Sequence, residues 1–296
     1  MSHREFGRDT GLQARMVLTM FLLGLVYAVL IAVAVSAGAG VASVLVIAAA
    51  LFATQLFASD KIALATIGAR EVSPAQAPEL HSIVERLCVQ ADLRKPRLAI
   101  VEAPMPNAFA LGRSQKTATV CATTGLLASL SPAELEAVLA HELTHLINRD
   151  VIVMTIASFF ASIAALLVRF GFFFGGGRNR NQQTAFMVVV LVSVAVYAVS
   201  FVLLRALSRY REYAADRGAA VLTGRPSALS SALMKINDTM QRIPDRDLRT
   251  TAQMNAFFIV PAGRKGSLTA LFATHPPLEK RIAALNRIEA QLQASH

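Results

Sequence analysis

From Met16 to Val35 the chain carries no charged side chain, and the same holds from Val41 to Ala58, from Val151 to Val168 and from Ala185 to Leu204. A helix of about 20 apolar residues crosses a hydrocarbon core, so these runs constrain the fold more than any other feature. The first two are separated only by Ser36–Gly40, which suggests a membrane hairpin. A cleavable signal peptide is the alternative for the first run. The run exceeds a usual signal core and a second follows at once, which favours a retained hairpin. A buried core helix is the alternative for the third and fourth runs, and their lengths favour spanning.

Composition agrees. Of 296 residues, 54% are hydrophobic and only 16% charged, more apolar than an ordinary soluble chain. The net charge of +10 would suggest nucleic acid in a soluble protein. In a membrane protein it reflects positive flanks, and no Lys/Arg run with interleaved aromatics argues for nucleic acid. Cys88 and Cys121 offer neither a CxxC spacing nor a disulfide framework, and they read as buried thiols in a reducing compartment.

Chemistry concentrates at His141-Glu142-Leu143-Thr144-His145. Residues four apart on a helix share a face, so both imidazoles can reach one metal ion, with Glu142 beside the first ligand to take a proton from water. Helical context is supplied upstream by Ser131-Pro132-Ala133-Glu134, a capping box with Pro at the favoured first position. A catalytic zinc needs three protein ligands and an open position. The metzincin extension requires Gly at 148 and His at 151, where this chain has Asn148 and Val151. The other common solution is a Glu from a later helix. Ser208-Arg-Tyr-Arg-Glu212-Tyr-Ala-Ala-Asp216 offers Glu212 as third ligand, with Asp216 on the same face to accept the second N–H of a ligand histidine. An ordinary charged helix is the bland alternative.

These motifs together resemble the HtpX family of membrane-bound zinc metallopeptidases, relatives of the eukaryotic CAAX prenyl endoproteases. The likeness rests on the paired N-terminal spans, the His141–His145 motif, the two later apolar runs and Ser208–Asp216, with Pro106-Asn-Ala-Phe-Ala-Leu-Gly112 and Thr274-His-Pro-Pro-Leu-Glu-Lys-Arg281 as further signatures. It implies an α-helical integral membrane protein with about four transmembrane helices and an α+β zincin-like (gluzincin) protease domain. It also implies one Zn2+ per chain, a bacterial inner-membrane location, a cytoplasm-facing site and a role in quality control of damaged membrane proteins. Asn107, Ala108, Phe109 and Ala110 resemble the family's substrate-side edge strand, to which an extended peptide can add through main-chain hydrogen bonds. A plain hairpin strand is the alternative. His275 precedes Pro276-Pro277 and can donate to a developing oxyanion, with a structural histidine as the alternative. Arg281 is expected to pair with an acidic group near the site.

The expected organisation is a cytoplasmic tail (1–15), a transmembrane hairpin (helices 16–35 and 41–58), the first part of the protease domain (59–150), two further apolar helices around a Gly/Arg loop (151–168 and 185–204), and the second part of the protease domain (205–296). Two crossings before the metal helix and two after it leave tail, helix and C-terminal part on one side. Arg4, Arg8 and Arg15 in the tail favour the cytoplasm. Polypeptide substrates, above all membrane proteins, are the expected partners besides the bilayer, and self-association or association with other membrane proteases stays open. Two rivals remain: a prenyl-protein endoprotease sharing the zinc site, and a non-catalytic scaffold with a structural metal. A structural zinc would usually be closed by a fourth Cys or His.

Overall fold

In chain order the elements are α1 (Thr10–Ser36), β1 (Arg70–Glu71), α2 (Pro78–Gln90), β2 (Arg97–Val101), β3 (Ala108–Leu111) and β4 (Thr119–Thr123). They continue with α3 (Thr124–Ser129), α4 (Pro132–Ile147), α5 (Arg180–Thr223), α6 (Pro226–Arg242) and α7 (Leu278–Ala294). This is a computed structural model, and it describes residues 10–36, 67–112, 114–157, 180–242 and 275–294, with isolated positions at 46, 49, 50, 52–54, 159 and 161. The chain divides into one unit of Met1–Leu12, Asp60–Val151 and Arg209–His296, and another of Gln13–Ser59 and Ile152–Ser208.

The second unit contains the apolar helices. Leu23, Tyr27 and Leu30 of α1 are buried in a cluster with Ala157, Val196 and Leu207. The opposite faces are no more polar, since Val17, Phe21 and Leu25 of α1 and Leu191 and Val202 of α5 are each more than half exposed. A helix of a soluble protein turns polar residues outward, whereas one apolar on every side suits lipid. Three hydroxyls on these helices find backbone acceptors, as a bilayer favours. Thr19 Oγ1 donates to the carbonyl of Arg15, Ser193 Oγ to that of Val189, and the Tyr27 hydroxyl to that of Ala157, each at 2.7 Å.

Among the described residues, two stretches are long and apolar enough to cross a membrane, Thr10–Val33 and Met187–Thr223. The expected span 41–58 lies largely outside the described residues. The run 151–168 is helical over 151–157 and then passes mostly outside them. The fourth apolar run ends at Leu204, but the helix that carries it, α5, continues unbroken through Glu212 and Asp216 to Thr223. No Gly or Pro interrupts it before Gly218, so nothing in the chain forces a helix to stop where apolar residues give way to charged ones.

The first unit is an α+β domain. Its four strands lie in the order β1-β2-β4-β3, with β2 and β4 parallel and the outer pairings antiparallel. The strand β4 is central and wholly buried, and β3 forms an edge, with Phe109 opposite Cys121. The sheet core continues into Leu80, Val84 and Leu87 of α2 and Leu135, Val138, Leu139 and Leu143 of α4. Both cysteines are free and buried, and burial raises the thiol of Cys88 to about 11 and that of Cys121 to about 12.

The start of α4 is fixed from two sides. Glu134 accepts from the backbone N–H and the hydroxyl of Ser131, both at 2.8 Å, completing the capping box. The same carboxylate accepts from Ser231 Oγ at 2.6 Å and Lys235 Nζ at 2.7 Å, which ties α4 to α6. Burial alone would raise this carboxyl, but Lys235, Ser231 and Ser131 outweigh it and bring Glu134 down to about 2. A lowered carboxyl stabilises the fold above its ordinary range and loses that contribution as pH falls towards its folded value. Glu134→Gln is therefore expected to cost about 2 kcal/mol near neutral pH. The gap to the parent chain should close on acidification from about 4.5 to about 2, measured by denaturant unfolding in detergent.

Candidate metal centre

Helix α4 carries His141 and His145 one turn apart, with ring centroids 4.7 Å apart and planes at 88°. Their Nε2 atoms face each other at 3.1 Å. The carboxylate of Glu212 from α5 closes the triangle, with Oε2 at 3.6 Å from His141 Nε2 and Oε1 at 3.6 Å from His145 Nε2. One ligand atom from each of the three lies within 4.8 Å of the others.

The donor chemistry suits a cation. His141 Nδ1 lies 3.0 Å from Asp216 Oδ1, and His145 Nδ1 lies 2.6 Å from Asp150 Oδ2. With each Nδ1 beside a carboxylate, the Nε2 atoms are the nitrogens turned inward, next to the carboxylate of Glu212. Three acceptors crowded together repel unless a positive charge sits among them. Two nitrogens bound to one tetrahedral zinc are about 3.3 Å apart, close to the separation found here, so these residues fit the ion.

The surrounding charges are paired. Arg281 of α7 donates from Nε to Asp216 Oδ2 at 2.8 Å and from Nη2 to Oδ1 at 2.6 Å, and its Nη1 is 3.8 Å from Glu212 Oε2. The expected acidic partner of Arg281 is thus Asp216. His275 stands at the approach to α7 with Nδ1 2.9 Å from Glu212 Oε2. Burial opposes ionisation of Asp216, yet Arg281 and His141 bring it down to about 2. Burial likewise opposes a proton on His141, but Asp216 and Glu212 outweigh it and raise the ring to about 10. The same carboxylates would hold a cation against that ring. Glu142, 4% exposed, is raised by burial, partly offset by His141 and His145.

What brings α5 to α4 is a glycine. A Cβ at Gly218 would meet the side chain of Thr144, with Oγ1 at 2.8 Å, so only Gly permits the approach. The helices touch within the metal motif itself, since Thr144 lies between its two histidines.

The expected site residues therefore divide. His141, His145, Glu142, Glu212, Asp216, His275 and Arg281 come together in one unit of the chain. Asn107 lies just before β3, fully buried, with its N–H donating to Thr123 Oγ1 at 2.8 Å and its carbonyl accepting from the Thr123 N–H at 2.9 Å. Its main chain is already engaged, and Ala108, Phe109 and Ala110 form the edge strand proper. Sequence reasoning missed Asp150. The helix α4 ends at Ile147, Arg149 takes a left-handed φ of 56°, and a new helix begins at 150. That turn sets Asp150 against His145. The signal was an acidic residue immediately before an uncharged run.

A small mixed sheet with a helix bearing two histidines, and a carboxylate brought from a second helix, fit a membrane-bound metalloprotease. The family model "Peptidase family M48" matches residues 74–289, and the chain belongs to that family. It is 53% identical to a "Protease HtpX homolog" of Moorella thermoacetica, over 98% of both chains. It is 52% identical to "Protease HtpX homolog 2" of Methanosarcina mazei (98% of this chain and 99% of the relative). With "Protease HtpX homolog 1" of Streptomyces coelicolor it shares 51% identity (97% and 96%). Among solved structures, S. mikatae Ste24p aligns with a TM-score of 0.54 at 17% identity, covering 94% of this chain and 67% of that one. That likeness shows the fold.

Gly218→Ala is expected to lower stability by about 1–3 kcal/mol and to reduce the metal retained after dialysis. Thr144→Ala in the same chain should restore part of both. Simple additivity of the two losses in this double-mutant cycle would remove the contact from the account.

Proposed function

We propose that the chain is a zinc-dependent endopeptidase that hydrolyses peptide bonds of misfolded or damaged membrane proteins, in a bacterial cell membrane with its site facing the cytoplasm. The observation that carries the chemistry is the inward convergence of His141 Nε2, His145 Nε2 and one Glu212 carboxylate. These three would hold one ion, leaving a position open. Zinc, when bound there, supplies Lewis acidity that polarises the scissile carbonyl and makes water a nucleophile near neutral pH.

The chain's own residues do the rest. Glu142 is fully buried and raised above the ordinary carboxyl range, which brings a general base nearer to its working pH. It takes a proton from the attacking water as the water oxygen bonds to the carbonyl carbon. When the C–N bond breaks, it returns that proton to the leaving amine. Asp216, clamped by Arg281, holds His141 in the tautomer that presents Nε2. His275 stands with Nδ1 2.9 Å from Glu212 Oε2, which leaves its Nε2 as the nitrogen that can donate to the substrate oxyanion. The edge β3 accepts an extended peptide through main-chain hydrogen bonds, with little demand on sequence.

Membrane substrates are supported by chain adjacency. The charge-free run from Val151 starts six residues past His145, and Glu212 shares its helix with the fourth apolar run. The four apolar runs, taken as crossings, and the arginines of the tail support the cytoplasmic orientation.

Glu142→Gln is expected to keep zinc and the fold but lower cleavage of an unfolded membrane protein by at least about a hundredfold. Glu212→Ala should lose most of the zinc. Parental turnover in the first variant, or parental zinc content in the second, would overturn the assignment. A prenylated peptide assayed in parallel separates a prenyl endoprotease, and activity that survives chelation would point away from metal catalysis.

A further inference from the structure

The strongest group left over is a buried acid and its cation. Asp150 is 1% exposed, and its two oxygens are divided between partners: Oδ2 lies 2.6 Å from His145 Nδ1, and Oδ1 lies 2.9 Å from Arg211 Nε. Arg211 is itself 8% exposed and immediately precedes Glu212 in α5. Seen from the two histidines, the arrangement is repeated. His141 turns Nδ1 to Asp216, which Arg281 holds through two hydrogen bonds; His145 turns Nδ1 to Asp150, which Arg211 meets as an ion pair through Nε.

We propose that Asp150, held in place by Arg211, is a positioning residue that fixes the ring of His145 so that its Nε2 faces the metal. The proposal rests on the metal-centre reading above. An imidazole has two nitrogens, and a carboxylate on Nδ1 decides that Nε2 carries the free lone pair. It also stops the ring from rotating about its side-chain bonds. His145 needs that restraint more than His141, because its side chain is 15% exposed against 2% and has less packing around it. The carboxylate in turn needs Arg211, since an unpaired charge buried this deeply would be costly. The left-handed Arg149, a conformation that L-residues adopt at a cost of about 1–2 kcal/mol, turns the chain so that Asp150 can reach the ring.

A purely structural reading is available, in which Asp150 and Arg211 merely join two helices. The two differ in what they do to metal affinity at a temperature where the protein is folded. The test uses the full chain in detergent: zinc affinity by competition with a chromogenic chelator, with melting temperature recorded beside it. Asp150→Asn keeps size and an acceptor oxygen but loses the charge, and is expected to bind zinc about tenfold more weakly. Asp150→Ala should approach a hundredfold. Arg211→Met should shift affinity in the same direction by less.

Parental zinc affinity in folded Asp150→Asn overturns the proposal, even if its melting temperature falls, for that pattern is the structural role alone. Should Asp150→Ala fail to fold, Asp150→Asn decides. No step of this test reads cleavage, so it stands apart from the protease reading. If Glu142→Gln cleaves at the parental rate while Asp150→Asn loses zinc, the assigned base falls and the positioning role stands. If the parent chain binds no zinc, both fall.

Discussion

The close approach of α4 and α5 at Thr144 and Gly218 is the contact on which the centre depends. Two histidines on α4 make half a site, and the third acceptor lies far along the chain on α5. Moving the helices apart by the width of a methyl group would lengthen both 3.6 Å separations between Glu212 and the imidazoles. The packing is therefore specified at the motif itself. A residue between the two histidines meets a glycine just beyond the carboxylates, and any side chain there would act as a spacer. Interiors are close-packed and bistable rather than compliant, so a displaced helix would not simply relax back.

Given that approach, the second problem is charge. Four carboxylates surround the imidazoles, those of Glu142, Asp150, Glu212 and Asp216, and all are nearly closed to solvent. Two are neutralised directly by guanidiniums, Asp216 by Arg281 and Asp150 by Arg211. Removing one member of such a pair leaves a buried charge unmatched, typically at about 3–5 kcal/mol. Of the remaining two, Glu212 faces both imidazole Nε2 atoms at 3.6 Å. The arginines thus do more than stabilise helices: they set how much negative charge is left for the metal.

Much of this was legible in the chain, and what was not has a physical reason. The capping box of Ser131 and Glu134, the i, i+4 histidines and the Glu212/Asp216 pair depend on local helical geometry, which a sequence displays directly. Glu134 was readable as a cap but not as the acceptor for Ser231 and Lys235, because that contact belongs to tertiary packing. The continuity of α5 past residue 204 was hidden by a change of composition that looks like an end and is not one. Asp150 was hidden for the opposite reason, since it reads as the boundary of an apolar run and its partner is set by a left-handed turn at Arg149.

That turn also explains why the metal motif can stand so near an uncharged run in the chain. A helix continuing straight past Ile147 would carry Asp150 on round its surface, away from the His145 ring, since residues five apart lie on different faces. Ending α4 at Ile147 and restarting at 150 breaks the helical phase and lets the acid return to the histidine. It also places a carboxylate at the start of the new helix, where the unpaired N–H groups and the helix dipole favour negative charge. One residue therefore ends the metal helix's influence, opens the next helix and faces the second histidine. Each role reinforces the others, since the dipole and Arg211 both hold the carboxylate that holds the ring.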